Sequence, residues 1–111
     1  MNKDHQYSLA DIISYMKKIE LRNDNFCLYG ESDDILKSDG CYYIADYPDV
    51  DDYDNEIYPQ IVRSKGLHYL YSGQQFADVI DSVVEQKPLA SLDEFVNALN
   101  YYSKNDNFLD F

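Results

Sequence analysis

Three stretches of the chain place their apolar residues at the 3.6-residue period of an amphipathic helix. "LADIISYMKKIE" predicts a first helix over residues 9–20. "GQQFADVIDSVVEQK" and "LDEFVNALNYYSK" predict two more over residues 73–87 and 92–103, separated by Pro88. Each helix follows a serine that has an acidic or amide side chain three residues later, as in a capping box. The three pairs are Ser8 with Asp11, Ser72 with Gln75, and Ser91 with Glu94.

Three shorter stretches, rich in aromatic and β-branched residues, predict strands. They are "NFCLYG" (25–30), "CYYIADY" (41–47) and "LHYLYS" (67–72), and we expect the first two to be antiparallel neighbours. "EIYPQIVRSKG" predicts a short helix that ends at Gly66 in a left-handed conformation. The expected fold is therefore α+β. A small, mainly antiparallel sheet of three to four strands carries the first helix and the two C-terminal helices, in a single domain of residues 1–111.

The composition favours a folded domain without a membrane anchor. Aromatic residues make up 15% of the 111 residues, which is high for a disordered acidic chain. No apolar run approaches the ~20 residues of a membrane span, and the N-terminal stretch does not have the pattern of a signal peptide. We expect a cytoplasmic protein whose two cysteines, Cys27 and Cys41, are reduced and buried in strands.

Negative charge is concentrated in one quarter of the sequence. The chain has 21 acidic and 9 basic residues, and ten of the acids but only one base, Lys37, lie within residues 31–56. The densest part is "DYPDVDDYDNE", residues 46–56. Such a field repels nucleic acid and anionic membranes and steers a basic protein toward the surface. A face that merely keeps the protein in solution is the alternative.

The acidic residues first suggest calcium, but their spacing does not fit an EF-hand loop. Counting from Asp49, the sixth position is Asp54, where a glycine is required. Counting from Asp52, the twelfth position is Arg63 in place of a glutamate. The two cysteines and two histidines also lack the spacing of a zinc site. We therefore expect no metal and no cofactor.

Catalytic motifs are equally hard to find. The four glycines form no phosphate-binding loop, and no arrangement of carboxylates indicates glycoside chemistry. A pair formed by His68 and either cysteine could act as a nucleophile and its base, but the cysteines lie in predicted strands as small hydrophobic residues. We expect a protein that is not an enzyme and that has no catalytic residues.

Tyrosine is the other unusual component, with twelve copies in the chain. They cannot all fit in one small core, so some must be partly exposed. Tyr47 and Tyr53 lie among aspartates outside the predicted strands, where an aromatic ring offers a partner a large contact area. The predicted partner-binding residues are Asp46, Tyr47, Asp49, Asp51, Asp52, Tyr53, Asp54 and Glu56.

The C-terminal half of the chain resembles a family of small acidic bacterial proteins. The similarity extends from "GLHYLYS" to the end, and its most specific part is "NYYSKNDNF". This family includes the immunity proteins of contact-dependent growth inhibition and of related polymorphic-toxin systems. The resemblance implies a cytoplasmic, non-catalytic inhibitor that binds a toxin domain, often a basic nuclease, and blocks its substrate groove or active site. It implies no particular functional residues.

Two other functions are compatible with the sequence. A nucleic-acid mimic would inhibit a DNA-binding enzyme, and its carboxylates should lie in rows spaced by ~7 Å, like the phosphates of a strand. An adaptor would bind through its tyrosines, with the charge serving only solubility. An inhibitory loop, by contrast, should be compact.

Overall fold

The computed structural model describes residues 1–111, which form four helices and six strands. In chain order these are β1 (His5–Ser8), α1 (Leu9–Met16), β2 (Cys27–Gly30), β3 (Cys41–Ala45), β4 (Asp49–Val50), β5 (Glu56–Ile57), α2 (Gln60–Lys65), β6 (His68–Ser72), α3 (Gly73–Gln86) and α4 (Leu92–Asn105). The predicted α+β class is confirmed.

Four of the strands form an antiparallel sheet in the order β1-β3-β2-β6. The predicted antiparallel pairing of β2 with β3 is confirmed. The sequence pattern missed β1, which pairs with β3 from His5 opposite Ile44 to Ser8 opposite Cys41. It was missed because an edge strand with exposed residues, here His5 and Gln6, has no hydrophobic alternation to reveal it.

One face of this sheet is covered by α1, α3 and α4, as predicted. Leu28 and Ile44 project from the central strands into this core, where they join Phe76, Phe95 and other residues that are almost completely buried. Replacing either phenylalanine by alanine would cost about 3 to 5 kcal/mol, because the surrounding helices could close only part of the cavity.

The opposite face carries a second, smaller cluster, which the sequence did not predict. Successive side chains of a strand point to opposite faces, so Cys27 and Tyr29 lie on the other side of β2 from Leu28. The members of this second cluster are Cys27, Tyr29, Ala45, Val62 and Leu67, with Tyr43, Tyr47, Tyr58 and Ile61 packed around them. The segment from Tyr47 through α2 therefore lies on this face.

The first helix is shorter than predicted. It ends at Met16, although the apolar pattern continues to Ile19, which is exposed. Arg22 explains the end: its guanidinium donates to the carbonyl of Met16 at 3.0 Å and forms a two-pronged ion pair with Asp81 of α3, with distances of 2.6 and 2.7 Å. The chain turns back to make these contacts instead of continuing the helix.

The predicted helix caps are present to different degrees. Ser91 and Glu94 form a complete capping box at the start of α4. At Ser8 and Ser72 only half of the box forms, with each serine oxygen accepting a backbone N–H from three residues later. Gly66 ends α2 with φ of 63°, as predicted.

Gly73 is required at the start of α3 for a different reason, a close approach of two chain segments. Its N–H donates to the carbonyl of Phe26 at 2.7 Å, and an added Cβ would lie 2.3 Å from the carbonyl oxygen of Asp24. No side chain larger than hydrogen fits there unless the backbone moves.

Both cysteines are free thiols, but the prediction that both are buried was wrong for one of them. Cys27 is buried in the second cluster, whereas Cys41 is exposed. Cys41 points to the same face as Tyr43 and Ala45, yet it lies at the end of β3 beyond the residues that the second cluster covers.

Candidate acidic hairpin

The acidic segment begins with two contacts that fix Asp46 to the sheet. The hydroxyl of Tyr29 donates to the backbone carbonyl of Asp46 at 2.8 Å. The carboxylate of Asp46 forms an ion pair with Lys3 at 2.5 Å. Asp46 was predicted to bind a partner; its position also anchors the segment, because both its carbonyl and its carboxylate contact the body of the protein.

Residues 49–57, here called the acidic hairpin, form two short antiparallel strands and a tight turn. Asp49 pairs with Ile57 and Val50 with Glu56. The strands were not predicted, since two-residue strands of largely exposed residues carry no periodic signal. The segment expected to be a loop therefore has a defined backbone.

The turn is held by one of its own carboxylates. Oδ1 of Asp51 accepts the backbone N–H groups of Tyr53 at 2.8 Å and Asn55 at 2.9 Å. Such side-chain to backbone bonds are the reason that aspartate favours turns. Asp54 adopts φ of 63°, a conformation that aspartate tolerates better than most residues. The aspartates therefore stabilise the turn of the hairpin in addition to giving the hairpin its negative charge.

These hydrogen bonds alter the acidity of the groups involved. The backbone N–H groups of Asn55 and Tyr53 stabilise the ionised form of Asp51 and lower the pKa of its carboxyl. At the base of the hairpin, the hydroxyl of Tyr58 donates to Oε2 of Glu56 at 2.6 Å, and this bond raises the pKa of Tyr58. Tyr58 is therefore a neutral donor to a carboxylate.

The tip of the hairpin faces solvent. Tyr53 is 85% exposed, and Val50 and Ile57 on the short strands are exposed as well. No carboxylate of residues 49–56 has a basic side chain within 4.0 Å, because the three ion pairs of the protein are Lys3–Asp46, Arg22–Asp81 and Lys87–Glu94. The negative charge of the hairpin is not neutralised by neighbouring residues.

The two tyrosines of the predicted site occupy different environments. Tyr53 projects from the tip, whereas Tyr47 is half-buried against the second cluster, with its hydroxyl 3.5 Å from the backbone N–H of Gln74. Burial raises the pKa of Tyr47. Tyr53 is available to a partner over most of its ring, while Tyr47 mainly supports the base of the hairpin.

Sequence reasoning missed two tyrosines beside this base. Tyr58 follows the hairpin and Tyr69 comes from β6, and both rings meet the buried ring of Tyr29. Tyr69 was predicted as a strand residue only. The alternation in "LHYLYS" indicated that Leu67 and Tyr69 share a face, but no local pattern predicts which segment lies over that face.

The residues weighed for catalysis are not brought together. His68 pairs with Gly30, three residues along β2 from Cys27, and β2 separates it from Cys41 on β3. Burial raises the pKa of the Cys27 thiol to about 11, so this thiol is protonated at neutral pH. No three side chains of His, Cys, Asp or Glu are placed to share a metal ion.

Comparison with known proteins places the chain in a family. Residues 6–111 match the family described as a domain of unknown function (DUF7716), and the chain belongs to it. The chain matches no curated protein and no solved structure. None of its four helices combines the length and the apolar composition needed to cross a membrane.

Proposed function

We propose that this protein is an immunity protein that binds a cognate toxin domain and neutralises it without catalysis. The partner is a basic nuclease, and the acidic hairpin binds in or beside its substrate groove. The observation that carries this proposal is the hairpin itself: a backbone-ordered, exposed element with unpaired carboxylates and Tyr53 at its tip.

The negative charge and the ordered backbone of the acidic hairpin together favour a role in toxin inhibition over a role in solubility alone. A groove that accepts phosphates must be cationic, so an acidic element complements the same surface and is attracted by the same field. The turn held by Asp51 presents the neighbouring carboxylates in a fixed arrangement. Because the hairpin is already ordered, less conformational entropy is lost when a partner binds it.

The compact shape of the hairpin favours an inhibitory element over a nucleic-acid mimic. Its strands have two residues each, whereas a mimic needs long rows of carboxylates at phosphate spacing. An adaptor is the remaining alternative, and it would bind through the tyrosines alone.

Several features support a non-catalytic role in the cytoplasm. His68 pairs with Gly30 in the sheet and not with either cysteine, and burial raises the pKa of the Cys27 thiol to about 11. A nucleophilic cysteine requires the opposite, an exposed thiol with a lowered pKa. The resemblance to immunity proteins implies a cytoplasmic inhibitor, and so we place the protein there.

The gene upstream of this protein provides the first test. We expect it to encode a long secreted protein whose variable C-terminal domain arrests growth when produced inside cells. Co-production of this chain should restore growth, and the two purified proteins should form a complex. A C-terminal domain that is harmless, or that remains toxic and unbound in the presence of this chain, would overturn the proposal.

Binding kinetics then test the role of the hairpin. Asp52→Lys should slow association and weaken its dependence on salt, because exposed charges act through steering. Glu85→Lys, an equal change of charge on the exposed side of α3, is the matched control and should have a much smaller effect. Tyr53→Ala should raise the dissociation rate by the equivalent of about 1 to 3 kcal/mol if its ring is an anchor. Equal effects of Asp52→Lys and Glu85→Lys would mean that the hairpin is not the contact.

A further inference from the structure

A pocket of about 320 Å³ opens at the base of the acidic hairpin. Its walls are the side chains of Tyr47, Pro48, Glu56, Tyr58 and Tyr69. The pocket thus joins the segment before the hairpin, the returning strand β5 and the sheet edge β6. Three aromatic rings and one carboxylate line it, and none of the nine basic residues does.

The aromatic rings that line this pocket are held in place by packing against the second cluster. Tyr29 is fully buried, and the rings of Tyr58 and Tyr69 meet it nearly at right angles, with centroids 6.2 and 5.9 Å away. Tyr47 packs against the same cluster. Because these contacts fix the rings before any ligand arrives, binding would immobilise few side chains.

The carboxylate of Glu56 in this pocket is also held in place, by a hydrogen bond. Oε2 of Glu56 accepts the hydroxyl of Tyr58 at 2.6 Å, and no basic residue pairs with Glu56. The surrounding phenols are neutral, since partial burial of the half-exposed Tyr69 raises its pKa to about 12 and the bond to Glu56 raises that of Tyr58. The pocket therefore combines three aromatic rings with a single negative charge.

From this arrangement we propose that the pocket receives the guanidinium group of an arginine side chain on the protein partner. A cation is attracted by the faces of aromatic rings and by a carboxylate that lacks a basic partner. Arginine suits the site better than lysine, because its planar group stacks on rings while its N–H groups point toward an acceptor. The inference rests on the proposed function, in which the acidic hairpin steers a basic surface to this place.

The pocket can be tested without the toxin. The probe is N-acetyl-arginine amide, titrated into ¹⁵N-labelled full-length protein and followed by amide chemical shifts. We expect saturable shifts, with millimolar affinity, at residues 47, 56, 58 and 69. The matched probe is N-acetyl-citrulline amide, which has nearly the same shape but no charge, and it should produce almost no shifts. N-acetyl-lysine amide should bind more weakly than the arginine probe.

Two variants identify the carboxylate responsible. Glu56→Gln keeps an oxygen that can accept the hydroxyl of Tyr58 but removes the charge, and it should weaken arginine binding by about tenfold. Asp49→Asn removes an equal charge from the neighbouring strand outside the pocket and should weaken binding by less than about twofold. The amide spectra also report whether each variant is folded.

Several outcomes would overturn the inference. These are the absence of saturable shifts at the pocket, equal shifts with citrulline, equal binding of lysine, and equal losses in Glu56→Gln and Asp49→Asn. The result is independent of the growth-rescue test. A chain that protects against the toxin but does not bind arginine would remain an inhibitor without this pocket, whereas arginine binding without protection would refute only the proposed function.

Discussion

The hydroxyl of Tyr29, from the centre of the sheet, donates a 2.8 Å hydrogen bond to the backbone carbonyl of Asp46, where the acidic segment begins. This bond is a direct link between the folded body and the candidate binding element. It starts from the same ring that supports Tyr58 and Tyr69. One buried side chain therefore contributes both to the position of the hairpin and to the shape of the pocket.

Removing that hydroxyl should loosen the hairpin without unfolding the protein. Tyr29→Phe keeps the ring and its aromatic contacts but deletes the donor, so we expect a loss of about 1 kcal/mol in the free energy of unfolding. Amide exchange in residues 46–57 should also become faster. Urea denaturation and hydrogen exchange measure the two effects. Tyr101→Phe, at an exposed ring whose hydroxyl makes no hydrogen bond within the protein, is the control and should cost less than about 0.5 kcal/mol. Equal losses in both variants would contradict the assigned role.

The buried phenols and thiol should make the protein sensitive to alkali. Burial raises the pKa of Cys27 from 9.0 to about 11, and it also raises the pKa of the buried phenols of Tyr29 and Tyr71. As pH rises above about 9, the unfolded chain loses these protons first, so it binds fewer protons than the native state and stability falls. The loss should continue to about pH 12.

Urea unfolding at a series of pH values from about 8 upward measures this loss. Tyr71→Phe removes one of the buried phenols, whose hydroxyl donates to the carbonyl of Leu99. We expect this variant to be less stable at neutral pH but to have a shallower decline with pH. A wild-type stability that stays constant between about pH 9 and 11 would contradict the prediction.

The two cysteines should react at very different rates. Cys41 is exposed at the end of β3, whereas Cys27 is buried and its thiol is held in the protonated, unreactive form. Iodoacetamide should therefore modify one site in the native protein and two in urea, as counted by mass spectrometry. The variant Cys41→Ser should resist modification until it unfolds, and Cys27→Ser should react once in both states. Similar rates at the two cysteines in the native protein would show that the second cluster opens readily.

Local patterns predicted most of the fold because each helix carries its own signal. The apolar stripes of α3 and α4 and the capping box at Ser91 require nothing beyond the neighbouring residues. The left-handed end of α2 at Gly66 is equally local. The features that the sequence did not predict depend on contacts between segments that are distant in the chain. β1 exists because β3 offers it an edge, and α1 ends early because Arg22 reaches Asp81, 59 residues away.

The sequence predicted the charge of the candidate site but not its geometry. Counting carboxylates located residues 46–56, yet it treated Tyr47 and Tyr53 alike, and the structure separates them. The pocket residues Tyr58 and Tyr69 come from segments that are distant in the chain and that both pack on Tyr29. Composition can thus locate a charged candidate surface, whereas the shape of that surface requires the tertiary fold.

The last prediction concerns the aspartates of the turn, which are not equivalent. Asp51 accepts the backbone N–H groups of Tyr53 and Asn55, whereas the carboxylate of Asp52 makes no hydrogen bond within the protein. Asp51→Ala should therefore speed amide exchange at residues 53 and 55 on the order of tenfold, while Asp52→Ala should leave exchange nearly unchanged. Hydrogen exchange followed by NMR measures both variants.

The same contacts predict how the turn responds to acid. Hydrogen bonds from the backbone of Asn55 and Tyr53 lower the pKa of Asp51 below its ordinary value of 3.8, so ionised Asp51 stabilises the turn above that pH. This contribution should be lost as pH falls through the lower native value. Asp51→Ala should abolish this pH dependence of the stability of the turn, and Asp52→Ala should preserve it. Amide exchange at residues 53 and 55, followed at several acidic pH values, measures the stability of the turn in both variants. If both variants kept it, or both lost it, another group would have to hold the turn.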